Sequence, residues 1–243
     1  MRFPRGRAAA APPPRYGVRS TPMSSSTSLT VRALLLDMDG TLVDSDAAVA
    51  RIWREWAEGH GLDPEAVMSI VHGRQGYATM AELLPDRPMA ENHAENAAML
   101  ARETADTEGV VPIPGAPAFL ASLARLPHAL VTSADAALTR ARMAAAGLPE
   151  PATRITAECV GASKPDPEGF LKGAAGLGFA PEECVAFEDS EAGIRAARAA
   201  GMAVVGVGPR ARSLGPDLHV DDLRAITVTE AEPGWIRVTA AAL

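Results

Sequence analysis

Short apolar runs alternate with helical patterns along most of the chain. The apolar runs occupy residues 31–36, 129–132, 185–187 and 203–207. Beside them stand segments of helical periodicity, at residues 136–145, 167–177 and 191–200, each closed by a glycine: Gly147, Gly178 and Gly201. Wholly apolar strands that alternate with helices are typical of a parallel sheet buried on both faces. The pattern predicts an α/β fold with a doubly wound parallel sheet.

A block without strand patterns interrupts this alternation after the first run. Residues 47–58, 64–72, 77–84 and 88–107 each have the pattern of a helix. We therefore expect an all-helical domain, residues 45–110, inserted into an α/β core made of residues 31–44 and 111–243. Val111-Pro-Ile-Pro-Gly115 would be the linker that returns the chain to the core.

The two ends of the chain differ from this pattern. Residues 1–30 are rich in Pro, Ala, Ser, Thr and Arg and hold almost no bulky apolar residue, so we expect a disordered extension. An Arg-rich leader without acids also fits an organellar transit segment, and Met23 could be the natural start. Near the other end, residues 225–228 and 235–238 flank Glu-Pro-Gly and predict a hairpin.

Charge and cysteine usage narrow the function classes. The net charge is −7, and because residues 1–30 hold five arginines and no acid, the rest of the chain carries −12. This balance argues against nucleic acid as a partner, since phosphate backbones need a basic face. Cys159 and Cys184 lack disulfide and metal-ligand spacings, and their apolar neighbours predict buried free thiols. Without a membrane-length apolar run or a secretion signal, we expect a cytoplasmic protein.

The strongest chemical signal, Asp37-Met-Asp-Gly-Thr41, follows the first apolar run. In an extended chain Asp37 and Asp39 point the same way, and ligands of open α/β sheets bind at the carboxyl ends of the strands. Two such carboxylates repel each other unless a cation joins them, and oxygen ligands favour Mg²⁺. A turn with two solvated acids is the alternative, because Asp and Gly are common in turns.

A second acidic pair, Glu188-Asp189, also stands between an apolar run and a helix. Taken alone, the segment indicates capping, with Asp189 or Ser190 as the helix N-cap. Taken with Asp37 and Asp39, the pair supplies the remaining carboxylates for one octahedral ion.

Two further polar segments fall at a strand end and in a loop. Thr132-Ser133 offers hydroxyl and backbone donors to a phosphate, and Lys164 lies in a loop stiffened by Pro165 and Pro167. For each residue alone a structural role is the simpler interpretation. Thr132 would then cap the following helix, and Lys164 would be a solvated surface charge.

Together these segments resemble the four motifs of the haloacid dehalogenase-like hydrolase superfamily in order and approximate spacing. The likeness runs from about Val31 to the C-terminus. The helical insertion resembles the cap of the branch that holds the phosphoglucomutases and the sugar phosphatases. From Val31 onward the chain is most similar to the sugar phosphatases that include the 2-deoxyglucose-6-phosphate and glycerol phosphate phosphatases. The resemblance implies a Rossmann-like core with a helical cap and a magnesium-dependent phosphatase.

By this resemblance, Asp37 would attack phosphorus and become an aspartyl phosphate, while Asp39 would protonate the leaving alcohol and later activate water. Mg²⁺ would be held by Asp37, the backbone carbonyl of Asp39, and Asp189, with Glu188 nearby or bound through water. The phosphoryl oxygens would be held by Thr132, Ser133 and Lys164.

The resemblance also assigns roles in the cap. His72, Arg74 and Gln75 lie in a Gly-containing segment between two cap helices, where the family places specificity contacts. Arg74 would contact a sugar hydroxyl or a phosphate oxygen, and a solvated turn is the alternative. Trp53 and Trp56 are expected in the core of the cap.

The expected partner is a small phosphorylated metabolite, namely a sugar, polyol or glycerol phosphate, with no nucleic acid or membrane partner. The protein would be a monomer or else a dimer.

A phosphomutase of the β-phosphoglucomutase type is the main alternative to a phosphatase. Such an enzyme returns the phosphoryl group to a sugar instead of transferring it to water. A dehalogenase is disfavoured, because that reaction needs neither a metal nor a second aspartate, and Asp39 and Asp189 are both present. A non-catalytic module is disfavoured as well, because it would have lost Asp37, Asp39, Lys164 or Asp189, and all four are present.

Overall fold

The computed structural model describes residues 28–241, and their strands form three sheets. The strands are β1 (Ser28–Val31), β2 (Ala33–Leu36), β3 (Val43–Asp44), β4 (Val111–Pro112), β5 (His128–Val131), β6 (Thr153–Ile155), β7 (Cys184–Glu188), β8 (Ala203–Val207), β9 (Leu218–Val220), β10 (Ile226–Glu232) and β11 (Trp235–Ala240). The main sheet is parallel, in the order β6-β5-β2-β7-β8-β9. Counted along the chain, this is the 3-2-1-4-5-6 order of a Rossmann-like sheet, and the predicted fold class is confirmed.

Helices cover both faces of this sheet, and others lie in the block between β3 and β4. They are α1 (Asp46–Gly59), α2 (Pro64–Met68), α3 (Gly76–Leu83), α4 (Met89–Ala105), α5 (Ala116–Ser122), α6 (Ala136–Ala145), α7 (Glu168–Leu177), α8 (Glu191–Ala199) and α9 (Gly208–Ala211). Apolar residues of α5 and α6 cluster on one face, and those of α7 and α8 on the other. Strand β2 contributes side chains to both clusters: Leu34 and Leu36 on one face, Ala33 and Leu35 on the other. Because both faces of the strand are buried, it is apolar throughout.

The first apolar run forms two strands instead of one. Val31 ends β1, which pairs antiparallel with β11, whereas β2 lies in the main sheet. Between them, Arg32 donates a hydrogen bond to Glu183 and lies over the ring of Phe179. The predicted C-terminal hairpin is confirmed as β10 and β11, which extend beyond the predicted ranges.

Strand β1 also corrects the prediction of disorder for residues 1–30. Residues 28–30 belong to an ordered strand, because the hairpin at the other end of the chain offers them a partner. The rest of that predicted segment lies outside the described residues. Strands β6 and β9 were not predicted, since three-residue strands are too short to carry a pattern.

Helices α1 to α4, which we call the cap, lie between β3 and β4, and these two short strands pair with each other. The cap has its own apolar cluster, which includes Trp53 and Trp56 as expected. Helix α2 is shorter than the pattern predicts, because the chain leaves the helix after Met68 and turns at Gly73 with φ of 80°.

The structure also bears on the two cysteines and on the length of the apolar helices. Cys184 is buried, but Cys159 is exposed, so the prediction of two buried thiols is wrong for Cys159. Its short 3₁₀ turn, residues 157–159, leaves the thiol at the surface despite apolar neighbours in sequence. Within residues 28–241, no helix combines the length and the apolar character needed to cross a bilayer.

Candidate active site

The candidate site lies at the carboxyl edge of three adjacent strands. Asp37 follows β2, Thr132 follows β5, and Glu188 ends β7 with Asp189 directly after it. Strand β2 stands between β5 and β7 in the sheet. Because the chain winds away from β2 in opposite directions, the edge beside it opens the crevice in which such sheets bind ligands.

Three carboxylates meet in this crevice. Oxygen atoms of Asp37, Glu188 and Asp189 all lie within 4.8 Å of one another. The three residues are 3%, 0% and 2% exposed, so water does little to screen their mutual repulsion. Burial, followed by the charge of Glu188, raises the pKa of Asp37 well above its usual range. Positive charge close to the three carboxylates is therefore needed to offset their repulsion.

Lys164 supplies part of that charge and is buried, not solvated. Its ammonium donates to Asp37 Oδ1 at 2.5 Å, to Glu188 Oε1 at 2.7 Å and to the carbonyl of Val131 at 3.1 Å. Burial disfavours the ammonium, but the charges of Asp37 and Glu188 outweigh burial and raise the pKa of Lys164. This lysine stays charged at any working pH.

Glu188 is fixed by local backbone geometry. Its Oε2 accepts from the backbone nitrogens of Asp189 and Ser190 at 3.0 and 3.2 Å, and from the Ser190 hydroxyl at 3.0 Å. Ser190 is the N-cap of α8, since its hydroxyl also accepts from the backbone nitrogen of Gly193 at 3.1 Å. The capping function thus belongs to Ser190, and Asp189 is left to face the crevice.

Asp189 is paired on one oxygen only. Arg210 donates to Oδ2 through Nε at 2.9 Å and through a terminal nitrogen at 2.7 Å, and its other terminal nitrogen reaches Asp46 Oδ2 at 2.7 Å. Asp189 Oδ1 is buried and has no hydrogen-bond partner among the described residues. Burial and the charge of Glu188 raise the pKa of Asp189 to about 7.

The residues present fit a divalent cation. The orphaned Oδ1 of Asp189 lies in a group of three converging carboxylates, and an uncompensated buried carboxylate oxygen is costly. Carboxylate oxygen is also the donor type that Mg²⁺ prefers. Glu188 has both oxygens engaged already, which suits an indirect role better than a direct one.

Asp39 has different surroundings from Asp37. Its side chain is 28% exposed and is not part of the three-carboxylate group. Oδ1 accepts from the hydroxyl of Ser45 at 2.7 Å, and Oδ2 lies 2.8 Å from a terminal nitrogen of Arg142. Asp39 lines the cleft between the core and the cap.

The segment after β5 faces the same cleft. Thr132 is 6% exposed, and its hydroxyl accepts from the backbone nitrogen of Ala134 at 3.1 Å. The N-cap of α6 is Asp135, which accepts from the backbone nitrogen of Leu138 at 2.7 Å, so Thr132 does not cap this helix. Ser133 donates from its hydroxyl to the carbonyl of Gly73 in the cap at 3.1 Å.

The cap loop, residues 72–75, is docked on the core. The backbone nitrogen of Gln75 donates to the hydroxyl of Ser163 at 2.7 Å. His72 and Arg74 line the cleft, and Arg74 also pairs with Glu82 at 2.5 Å. Burial and the nearby charge of Arg210 lower the pKa of His72, so its ring is neutral at neutral pH. The cleft holds about 730 Å³ of space, part of it open to solvent.

Sequence reasoning missed three charged residues of this region: Glu103, Arg142 and Arg210. Each is a charged residue on a helix, and such residues are ordinarily solvated. Helical spacing offered a weak signal for Glu103, because Asn96, Met99, Leu100 and Glu103 recur on one face of α4 and all line the cleft.

Comparisons with known proteins identify the family of the chain. The model of the haloacid dehalogenase-like hydrolase family matches residues 31–201. Hexitol phosphatase A of Escherichia coli is 41% identical over 84% of this chain and 96% of its own. Glycerol-1-phosphate phosphohydrolase 2 of Saccharomyces cerevisiae is 32% identical over 79% of this chain and 78% of its own. The crystal structure of CbbY from Rhodobacter sphaeroides in complex with phosphate shares the fold, with a TM-score of 0.66 and 24% identity over 79% of this chain and 95% of that one. The chain belongs to the haloacid dehalogenase-like hydrolases.

Proposed function

We propose that this phosphatase releases inorganic phosphate from a small sugar or polyol phosphate, with Mg²⁺ as cofactor and Asp37 as the nucleophile. The proposal is carried by one observation: oxygen atoms of Asp37, Glu188 and Asp189 converge, and the buried ammonium of Lys164 donates to the first two. Asp37 also lines the cleft. Nucleophile, cation ligands and a fixed ammonium in one place are what phosphoryl transfer requires.

Asp37 and Asp39 divide the chemistry between them. A carboxylate oxygen of Asp37 forms a bond to phosphorus as the bond from phosphorus to the substrate alcohol breaks. Asp39, on the cleft side, gives its proton to the departing alkoxide oxygen. It then takes a proton from a water molecule that attacks the aspartyl phosphate, and inorganic phosphate leaves while Asp37 is regenerated.

The cation would be held by Asp37, by Asp189 and by the backbone carbonyl of Asp39, with Glu188 as an indirect partner. When bound, Mg²⁺ offsets the negative charge of the phosphoryl oxygens. The unpaired Oδ1 of Asp189 supports this assignment. Thr132 and Ser133 would hold the remaining phosphoryl oxygens. Lys164 would act on them through its positive charge, because its three N–H groups already donate to two carboxylates and a carbonyl.

The cleft and the relatives support the proposed substrate class. The lining of the cleft combines apolar side chains such as Val49 and Trp53 with polar ones such as Asn96, His72 and Arg74, which suits a small molecule rich in hydroxyls. The matched relatives include a hexitol phosphatase and a glycerol-1-phosphate phosphohydrolase. We propose that residues 45–110 close over such a substrate and exclude bulk water.

A panel of hexitol, hexose, pentitol and glycerol phosphates tests the proposal, with purified protein, MgCl₂ and a phosphate-release assay. We expect release of free phosphate from one or more of these, and reversible loss of turnover with EDTA. Isomerised sugar phosphate without free phosphate would point to the phosphomutase alternative. Asp37→Asn should leave the fold intact and abolish turnover. Normal activity in this variant would exclude Asp37 as nucleophile.

A further inference from the structure

A buried arginine of the core links the cap to Asp39. One terminal nitrogen of Arg142, on α6, lies 2.8 Å from Asp39 Oδ2, and its other terminal nitrogen donates to Glu103 Oε2 at 2.6 Å. Glu103 stands near the end of α4 in the cap. The guanidinium therefore touches the proposed acid–base group on one side and the cap on the other.

This link lies deep in the molecule. The side chains of Arg142 and Glu103 are 4% and 8% exposed, and Nε of Arg142 has no hydrogen-bond partner among the described residues. Burial raises the pKa of Glu103, and the charge of Arg142 only partly opposes this effect. A buried ion pair recovers little of its desolvation cost in stability. A role in stability alone is therefore a weak reason for its presence.

The contact through Arg142 also differs from the hydrogen bonds of the cap loop, because it touches Asp39. The bonds of Gly73 with Ser133 and of Gln75 with Ser163 hold the cap loop without touching Asp39. By contrast, both oxygens of Asp39 are fixed by groups tied to the cap. Ser45, which precedes the first cap helix, holds Oδ1, and Arg142 with Glu103 behind it holds Oδ2.

We propose that Arg142 is a positioning residue for Asp39, and that Glu103 makes this positioning depend on the closed cap. The inference rests on the proposed function, because it concerns the group that moves the proton. When Glu103 is withdrawn, Arg142 loses one of its two partners and Asp39 loses a fixed support. The proton of Asp39 then reaches the leaving oxygen less often, while the attack of Asp37 on phosphorus is unaffected.

Substrates with different leaving groups distinguish a role of Arg142 in protonation from a general role in activity. An alkoxide must receive a proton as the bond to phosphorus breaks, whereas p-nitrophenolate leaves without one. For Arg142→Met we expect kcat/KM for the best alkyl phosphate to fall on the order of tenfold or more, as for misplaced catalytic groups. The kcat/KM for p-nitrophenyl phosphate should fall far less. Arg142→Lys should recover part of the loss on the alkyl phosphate, because it restores the charge.

Glu103→Leu should show the same selective loss in smaller size. The double variant Arg142→Met/Glu103→Leu should be no worse than Arg142→Met alone, since Glu103 acts only through Arg142. The double variant also removes both buried charges together, which keeps the test open if a single variant fails to fold. Arg102→Met and Glu55→Leu are matched controls, because this exposed pair also belongs to the cap but does not touch Asp39.

Equal losses on both substrates, or additive effects of the two substitutions, would overturn the inference and leave the pair as a structural contact. A protein without any phosphatase activity would instead refute the proposed function, so the two failures are distinguishable.

Discussion

Lys164 and Asp37 are 127 residues apart in the chain, yet the ammonium donates to the Asp37 carboxylate at 2.5 Å with both side chains buried. The same ammonium reaches Glu188 at 2.7 Å. The proposed nucleophile, which would meet an anionic substrate, is thereby kept beside a fixed positive charge. The loop that carries Lys164 is consequently part of the proposed reaction centre.

Replacement of this lysine should be severe. Lys164→Met is expected to lower kcat by about 10²–10³-fold, the range found when one preorganised electrostatic group is removed. Without the ammonium, Asp37 and Glu188 repel each other, and one of them takes up a proton. Steady-state kinetics at saturating MgCl₂ measures the effect. Lys172→Met is the control, since this exposed lysine pairs with Glu168 on α7, and a similar loss there would contradict the assignment.

Gly40 is placed where a side chain cannot fit. Its φ is 83°, and a Cβ atom there would come within 2.2 Å of Asp189 Oδ2 and 2.6 Å of an Arg210 nitrogen. Gly40→Ala should displace Asp189 and weaken Mg²⁺ binding by about 10–100-fold, as for other disturbed ligand supports. Titration of activity with MgCl₂ measures this change.

Gly61 provides the matched control for that variant. It has φ of 66° with nothing near the Cβ position, so Gly61→Ala suffers a similar backbone cost of about 1–2 kcal/mol. It should lose stability but keep its Mg²⁺ dependence. An unchanged Mg²⁺ dependence in Gly40→Ala would show that the close approach to Asp189 has no influence on the metal.

The pH dependence of stability should reveal the crowded carboxylates. The folded protein holds the pKa of Asp189 at about 7, whereas an unfolded Asp titrates near 4. The folded state therefore binds the proton more tightly. The contribution of Asp189 to stability is fully present below about pH 4 and is lost as the pH rises through about 7. Mg²⁺, which competes with the proton, should stabilise the protein more as the pH rises.

Urea unfolding in EDTA and in MgCl₂, between about pH 5 and pH 8, measures both effects. Asp189→Asn is the reference, since it cannot titrate and should flatten the decline seen in EDTA. A wild-type protein that gains stability over this interval relative to Asp189→Asn would contradict the burial of an ionisable Asp189.

Arg74 should act on substrate choice. It lines the cleft and is held by Glu82. Arg74→Ala is expected to raise KM for the best sugar or polyol phosphate by roughly tenfold, the value of one lost charge-assisted hydrogen bond. It should affect p-nitrophenyl phosphate less. Arg54→Ala, which breaks an exposed cap pair with Glu65, is the control. Equal increases in KM for both substrates would show that Arg74 does not determine substrate specificity.

Much of the fold could be predicted because its strongest signals are local. A buried parallel strand is apolar throughout, and acids directly after such a strand must meet at one edge of the sheet. This places Asp37, Glu188 and Asp189 together before any coordinates are known. The break at Arg32 escaped prediction because the partners of β1 lie in the distant C-terminal hairpin.

The charged residues around Asp39 and Asp189 could not be predicted in the same way. Arg142 and Arg210 are arginines on helices, a setting in which most arginines are solvated. Their partners depend on how the helices pack, which is decided by tertiary contacts. Glu103 is reached from Arg142 across 39 residues and between the cap and the core.

The central claim is that Asp37 carries the phosphoryl group, and chemical trapping tests it most directly. The protein is mixed with its best substrate and MgCl₂, quenched in acid within the first turnover, and reduced with borohydride, which converts an aspartyl phosphate to homoserine. Peptide mass spectrometry then identifies the modified position. We expect homoserine at position 37, none in EDTA, and none in Asp37→Asn. Phosphate release without any modification at position 37, or with modification at another carboxylate, would contradict the account.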